Sequence, residues 1–292
     1  MKLSSGAMGD LGRYRCSCGN LIGECDFWRE VKKGMARRGC EFDLACAGTD
    51  YRNIESPYAR RVLGPMHRGR FLEYLRDLAL GLSPFWRRQL PEIHERNRAL
   101  AASILDLTGA QVVVDSSKIG LRLKYLLKNP RLCVKVIRVI RDGRAVALTY
   151  MDPARFADAE DPKRRAGGMG GNRDQERLSM ARAAYEWRRC MEEAEQALCG
   201  LDRSEWTEVH YEDYCRHPDA TLMRLHEFLG VEAGRHVREF RSVEQHVVGN
   251  GMRLDTTSEI RLDERWRDVL SREDLDTFNR VAGKINRRHG YV

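Results

Sequence analysis

The sequence lacks any long apolar run. No stretch approaches the roughly 18 consecutive apolar residues of a membrane span. Residues 1–6 also lack the apolar core of a secretory signal peptide. We therefore expect a cytoplasmic protein without a membrane span.

A concentrated patch of one charge is also absent. The 51 lysines and arginines outnumber the 43 aspartates and glutamates, which gives a formal net charge of +8, but the basic residues are scattered instead of forming a tail. They lack interleaved aromatic residues, and no nucleic-acid-binding motif is present. We therefore expect no nucleic-acid partner and favour a small anionic ligand.

The nine cysteines do not suit a disulfide framework, since their number is odd, and without a signal peptide we expect them to be reduced. Cys16, Cys18 and Cys25 are near enough in sequence to be considered as zinc ligands. However, C-x-C followed by a third cysteine seven residues later is not a standard zinc spacing, and no fourth ligand is evident. A packed thiol cluster or a disulfide is the favoured interpretation, and no metal is predicted.

Apolar residues recur three and four apart in several segments, which is the period of an amphipathic helix. Helices are predicted over residues 70–82, 93–107 and 180–198, after Pro218, and in the C-terminal stretch that contains Trp266 and Ile285. Gly230 is the expected stop of the helix after Pro218.

Short β-branched runs predict strands that alternate with these helices. Residues 111–114 read as a strand buried on both faces, residues 134–140 as a second strand and residues 206–211 as a third. The first two strands and the helix between them form a right-handed βαβ unit with parallel strands. We therefore expect an α/β fold and a single domain over residues 1–292.

Polar residues follow the strand predicted over 134–140 at its carboxyl end, where open α/β sheets bind their ligands. Asp142 is placed to cap the helix that begins near Arg144, and Thr149 lies about two turns beyond that cap, on nearly the same helix face. Arg141 and Thr149 can therefore reach one anion, and a guanidinium with a hydroxyl suits a terminal phosphate. The spacing equally allows Arg141 to pair with a carboxylate and Thr149 to bond within its own helix.

Five motifs occur in a fixed order along the chain: C-x-C-G at 16–19, E-C-x-F-W at 24–28, V-D-S-S-K at 114–118, R-D-G-R-A at 141–145 and H-x-V-G-N-x-M-R at 246–253. In this combination the chain resembles the sulfotransferase family in its bacterial branch, and the R-D-G-R-A core is similar to that of the tyrosylprotein sulfotransferases. The resemblance implies a P-loop-NTPase-like parallel sheet flanked by helices. It also implies transfer of a sulfuryl group from 3′-phosphoadenosine 5′-phosphosulfate (PAPS) to a hydroxyl or amine of an acceptor.

The resemblance implies roles for particular residues. Arg141 and Thr149 hold the 3′-phosphate of the cofactor, and Tyr211 lies near its adenine. Lys118 lies beside the sulfuryl group, where a cation stabilises the transition state more than the ground state, unless it is bound to Asp115. The remaining candidates are the general base Asp10, which replaces the family's glutamate, and the cofactor-binding residues Ser117, Asn250, Met252 and Arg253.

Residues 1–8 lack one part of the family's pattern. The first strand and the phosphate loop that cradles the 5′-phosphosulfate are expected upstream of Gly9, and residues 1–8 contain neither. We favour a start placed too far downstream or a truncated gene. The alternatives are a second chain that supplies the loop, and a catalytically inactive nucleotide- or anion-binding remnant or interaction module.

The acceptor is not indicated by these motifs. A carbohydrate, a lipid, a small metabolite and a tyrosine in a peptide all remain open. We expect the acceptor pocket to be built from residues 60–70 and 151–177.

Overall fold

The structure is a computed structural model that describes residues 15–44, 47–51, 70–117, 120–159, 177–232, 239–243, 245–246, 251–255 and 257–292. The chain divides into two compact units. The N-terminal unit is residues 1–134 with 246–249, and the C-terminal unit is residues 135–245 with 250–292. The expected single domain over residues 1–292 stays a prediction.

The described part of the N-terminal unit is largely helical. Its helices are α1 (Asp26–Arg37), α2 (Arg70–Leu82), α3 (Pro84–Thr108) and α4 (Gly120–Leu127). A bridge between Arg15 and Leu21 closes a small antiparallel hairpin, and a 3-10 turn over Ile22–Glu24 leads into α1.

The helices predicted in this unit are present, with one change of length. The bounds of α2 agree with the prediction, whereas α3 begins nine residues before the expected start at residue 93. The start is earlier because the Ser83 side chain accepts a hydrogen bond from the backbone N–H of Trp86 and Pro84 occupies the first helical position. These residues carry a start signal that the apolar periodicity alone does not show.

The predicted strand over residues 111–114 is wrong. These residues form no ladder with any described residue, and the side chains of Val112 and Val114 are exposed, the latter to 78%. A β-branched run fits a strand, but it becomes one only where a neighbouring strand takes its backbone hydrogen bonds. The predicted βαβ unit between residues 111–114 and 134–140 is therefore also wrong within the described residues.

A buried arginine joins three segments of the N-terminal unit. The Arg122 guanidinium donates hydrogen bonds to Asp115 Oδ2 (2.8 Å), to the Thr49 carbonyl (2.7 Å) and to Asn97 Oδ1 (2.8 Å). Burial acts to raise the pKa of Asp115, but the Arg122 charge and hydrogen bonds with the Ser117 and Arg122 side chains hold it well below its usual range. Arg122 thereby links residues 115–117 to α3 and α4.

The described part of the C-terminal unit contains a two-stranded parallel sheet with helices around it. The strands are β1 (Val136–Ile140) and β2 (Trp206–His210), paired in register from Val136 opposite Trp206 to Ile140 opposite His210. The helices in chain order are α5 (Gly143–Met151), α6 (Pro153–Phe156), α7 (Met180–Leu198), α8 (Tyr211–Arg216), α9 (Pro218–Leu229), α10 (Trp266–Val269) and α11 (Arg272–Arg288).

This alternation of parallel strands and helices is consistent with the predicted α/β class. The second and third predicted strands form the sheet, α7 has its predicted bounds, and α9 begins at Pro218 and ends before Gly230 as expected. A short 3-10 turn covers Gly251–Leu254. Along the parts of the chain that the structure describes, no helix is long and apolar enough to cross a membrane.

The core of the C-terminal unit lies where α5, α7 and α11 pack together. Trp187 on α7 and Phe278 on α11 are buried against each other, with ring centroids 5.9 Å apart. Gly143 lies against both rings, because a Cβ at this position would be 2.6 Å from Phe278 Cζ and 2.7 Å from the Trp187 ring. The first residue of α5 must therefore be glycine for the three helices to pack this closely.

Replacing Gly143 with alanine should lower the free energy of unfolding by about 1–3 kcal/mol, because the added methyl group overpacks the core. Urea unfolding followed by circular dichroism measures this loss. The control is Gly81→Ala on α2, where a Cβ meets nothing within 4 Å, and it should cost nothing. Equal stability of Gly143→Ala and the wild type would contradict the packing described above.

Replacing Asp115 with asparagine should lower the free energy of unfolding by about 2 kcal/mol at pH 7, because the buried Arg122 loses its charged partner. The folded-state pKa of Asp115 lies below its unfolded value of about 3.9, so its contribution is present above that pH and is lost as the pH falls. The gap between wild type and variant should therefore shrink below about pH 4. Urea unfolding at pH 7 and at acidic pH measures this difference in the free energy of unfolding, with Asp106→Asn, at an exposed position, as the control. A difference that does not change with pH would refute the stabilising role of the Asp115–Arg122 ion pair.

Candidate functional site

The carboxyl ends of β1 and β2 bring four polar side chains together. Ile140 and His210 are opposite one another in the ladder, so Arg141 and Asp142 follow one strand where Tyr211 and Glu212 follow the other. Parallel strands of α/β proteins present ligand-binding residues at this edge.

Arg141 is held on two sides by residues of the same unit. Its guanidinium lies over the Tyr211 ring, 4.5 Å from the centroid, and Nη2 is 2.9 Å from Asp263 Oδ2. Nη2 also donates to the Asp263 carbonyl at 2.7 Å. In contrast, Nε is buried and has no hydrogen-bond partner among the described residues. A buried N–H of a charged group without a partner is costly, and an anion bound at this edge is one way to satisfy it.

Asp142 holds the start of α5 in place. Its Oδ1 accepts a hydrogen bond from the Arg144 backbone N–H at 2.9 Å, which confirms the predicted cap. Its own backbone N–H donates to Glu212 Oε1 at 3.0 Å, and Asn286 Oδ1 accepts from the Gly143 N–H at 2.9 Å. The orphan N–H groups at the start of α5 are thus partly satisfied by side chains from α8 and α11.

Two tyrosines complete this edge of the sheet. The Tyr211 hydroxyl donates to the Arg261 carbonyl at 3.1 Å and accepts from the Asp263 N–H at 3.2 Å, and burial raises its pKa to about 12. The Tyr291 hydroxyl donates to Glu212 Oε2 at 2.6 Å, and burial together with this carboxylate raises its pKa far above the usual value. Both phenols therefore stay neutral at physiological pH and act as hydrogen-bonding groups.

Thr149 lies on the last turns of α5, where its hydroxyl donates to the Val146 carbonyl at 2.7 Å. Arg141 and Thr149 thus have the internal partners that the alternative interpretation of the spacing expects, a carboxylate for one and the helix backbone for the other. The shared anion site of Arg141 and Thr149 stays a prediction.

The other predicted site residues are distributed as follows. In the N-terminal unit the Ser117 backbone N–H donates to Asp115 Oδ1 at 2.9 Å, and Asp115 is bound by Arg122. The Met252 side chain is exposed, and Arg253 follows it in the turn over Gly251–Leu254. Asp10, Lys118 and Asn250 lie outside the described residues.

Several residues of the two units were missed at the sequence level. Asp263 pairs with Arg141, and Glu212 accepts a hydrogen bond from the Asp142 N–H and another from the Tyr291 hydroxyl. Of these missed residues only Glu212 has a sequence signal, because it directly follows Tyr211 in the Y-E-D sequence at 211–213. In the N-terminal unit, His246 lies beside Cys16 and Cys25 and offers a fourth potential ligand atom, which the cysteine spacing did not identify. It is 221 residues from Cys25 along the chain, which local spacing cannot indicate.

Comparison with known proteins gives one distant relationship to a sulfotransferase. No protein-family model matches the chain, and no solved structure matches it. The chain is 27% identical over 187 residues to "Carbohydrate sulfotransferase 1" of Mus musculus, and the match covers 58% of this chain. It covers 41% of the mouse protein, so the chain spans less than half of that relative. This similarity supports the resemblance to sulfotransferases that the motifs carry.

Proposed function

We propose that this protein is a PAPS-dependent sulfotransferase, which transfers a sulfuryl group to a hydroxyl or amine of an acceptor. The observation that carries the proposal is the environment of Arg141. Its guanidinium lies at the carboxyl end of β1 over the Tyr211 ring, and its buried Nε lacks a partner among the described residues. The distant similarity to a carbohydrate sulfotransferase gives independent support.

The donor's 3′-phosphate and adenine fit the residues at this edge. Arg141 supplies a planar donor to the phosphate, and Thr149 supplies a hydroxyl once it releases the Val146 carbonyl. The Tyr211 ring, with its phenol neutral, offers an aromatic face near the adenine. We assign Ser117, Asn250, Met252 and Arg253 to further contacts with the nucleotide.

Lys118 and Asp10 carry the chemistry in this proposal. When bound, PAPS supplies the sulfuryl group and the phosphate leaving group. Charge builds up on the leaving phosphate oxygen and on the sulfuryl oxygens, and the Lys118 ammonium stabilises that charge. Asp10 accepts the proton of the attacking hydroxyl, with a reach one methylene group shorter than that of a glutamate.

Arg141→Ala should weaken binding of adenosine 3′,5′-bisphosphate about 10- to 100-fold, because a charge-assisted contact to the 3′-phosphate is lost. The same change should leave adenosine 5′-monophosphate binding unaltered, since that ligand has no 3′-phosphate. Calorimetry with both nucleotides measures the two effects. Thr149→Val should weaken bisphosphate binding about 2- to 10-fold, and Thr149→Ser, which keeps the hydroxyl, should bind nearly as well as the wild type.

The matched control for Arg141 is Arg182→Ala, which removes an arginine that is exposed on α7 in the same unit. It should bind both nucleotides as the wild type does. If Arg141→Ala weakens both nucleotides equally, or neither, then the 3′-phosphate assignment is wrong.

Transfer from PAPS carrying a labelled sulfuryl group should be detected with one class in a panel of carbohydrate, lipid, peptide and small-metabolite acceptors. Lys118→Met should slow this transfer about 100- to 1,000-fold, because the lost ammonium stabilises charge that develops only in the transition state. The affinity for adenosine 3′,5′-bisphosphate should stay within a few-fold of the wild-type value. Single-turnover rates and calorimetry separate the two effects. Nucleotide binding without transfer would point to an inactive binding module, and the absence of both would refute the proposed function.

A further inference from the structure

Three cysteines and one histidine of the N-terminal unit converge on a single point. One ligand atom from each of Cys16, Cys18, Cys25 and His246 lies within 4.8 Å of each of the others. The Cys18 and Cys25 sulfurs are 3.7 Å apart, and His246 Nδ1 is 3.4 Å from Cys25 Sγ and 3.8 Å from Cys16 Sγ. Cys16 and Cys25 are almost completely buried.

The first two sulfurs are presented by the tight hairpin between Arg15 and Leu21. The Cys16 N–H donates to the Asn20 carbonyl and the Gly19 N–H donates to the Cys16 carbonyl, both at 2.9 Å. Gly19 has a φ of 92°, a conformation that favours glycine, and it lets the chain reverse directly after Cys18. The hairpin therefore turns both thiols to one side within three residues.

The other two ligands come from the start of α1 and from a distant segment. Cys25 immediately precedes α1, so its sulfur lies at the positive end of the helix dipole, which favours a thiolate. The His246 ring stacks on Phe27 in the first turn of α1, with centroids 4.4 Å apart and planes 5° apart. This stacking holds the imidazole so that Nδ1 faces the thiols.

We propose that Cys16, Cys18, Cys25 and His246 bind one zinc ion. Zinc–sulfur bonds of about 2.3 Å and zinc–nitrogen bonds of about 2.05 Å define a tetrahedron whose edges are about 3.8 Å between sulfurs and about 3.6 Å between sulfur and nitrogen. The three distances given above lie within a few tenths of an ångström of these edges. Four protein ligands close the coordination sphere, so the ion has a structural role and leaves no position for a substrate.

A metal explains the cluster better than packed thiols or a disulfide does. A Cys18–Cys25 disulfide would leave the buried Cys16 and the oriented His246 without a role, and both sulfurs belong to free cysteines here. The backbone N–H groups of Cys18 and Trp28 lie near the sulfurs of Cys16 and Cys25, and they would donate to thiolate sulfurs once the thiols give up their protons to bind the ion.

Metal analysis of the full chain, purified under reducing conditions without chelators, tests this proposal. About one zinc ion per chain is expected. Cys25→Ser and His246→Ala should each lower zinc affinity at least about 100-fold in competition with a chelator. The matched control is Cys133→Ser, which removes an exposed thiol of the same unit and should retain the ion.

A ligand exchange distinguishes lost coordination from lost folding. His246→Cys should still bind one ion, and its cobalt(II) form should show stronger thiolate-to-metal absorption than wild type, since a fourth thiolate replaces the imidazole. The proposal is refuted by unchanged zinc content in Cys25→Ser, by wild-type thiols that bind neither zinc nor cobalt(II), or by a Cys18–Cys25 disulfide found by mass spectrometry. None of these measurements depends on sulfuryl transfer.

Discussion

The C-terminal unit depends on side-chain hydrogen bonds at the end of a very short sheet. Within the described residues of this unit, two parallel strands of five residues each form a short ladder, and such a pair needs further support to be stable. That support includes the ion pair of Arg138 with Glu208 between the strands, at 3.1 Å, and the bond from the Asp142 N–H to Glu212 beyond them. Because Glu212 also accepts from Tyr291, the C-terminal residues are tied to the edge that presents Arg141.

Charged groups are placed by the same rule in both units, namely that a buried ion is surrounded by partners. In the N-terminal unit Arg122 is satisfied by Asp115, Asn97 and the Thr49 carbonyl. In the C-terminal unit, burial acts to raise the pKa of Asp263, but hydrogen bonds from Arg265 and Arg141 hold it well below its usual range. An anion that binds Arg141 must therefore compete with a carboxylate that is fully ionised at neutral pH.

Helices were more predictable from the sequence than sheet pairing or site partners. Both helices over residues 70–82 and 180–198 have their predicted bounds. The apolar period of residues 180–198 also marks the buried face, whereas Leu72, Leu75 and Leu82 of the other helix are exposed. Composition does not show whether a neighbouring strand exists, so the β-branched run predicts a buried strand although Val112 and Val114 are exposed. Arg141 can be identified from the sequence because it comes directly after a predicted strand. Its partner Asp263 lies 122 residues away, and no sequence pattern marks it.

The contact between Cys25 and His246 has a consequence for the order in which the protein is made. Three of the four residues of this cluster are synthesised between residues 16 and 25, but the fourth follows Cys25 by 221 residues. At about 5–20 residues per second, roughly 10–45 s separate their synthesis. During that interval the nascent hairpin carries three thiols without their histidine, so they are exposed to oxidation and to competing metal ions before the cluster is complete.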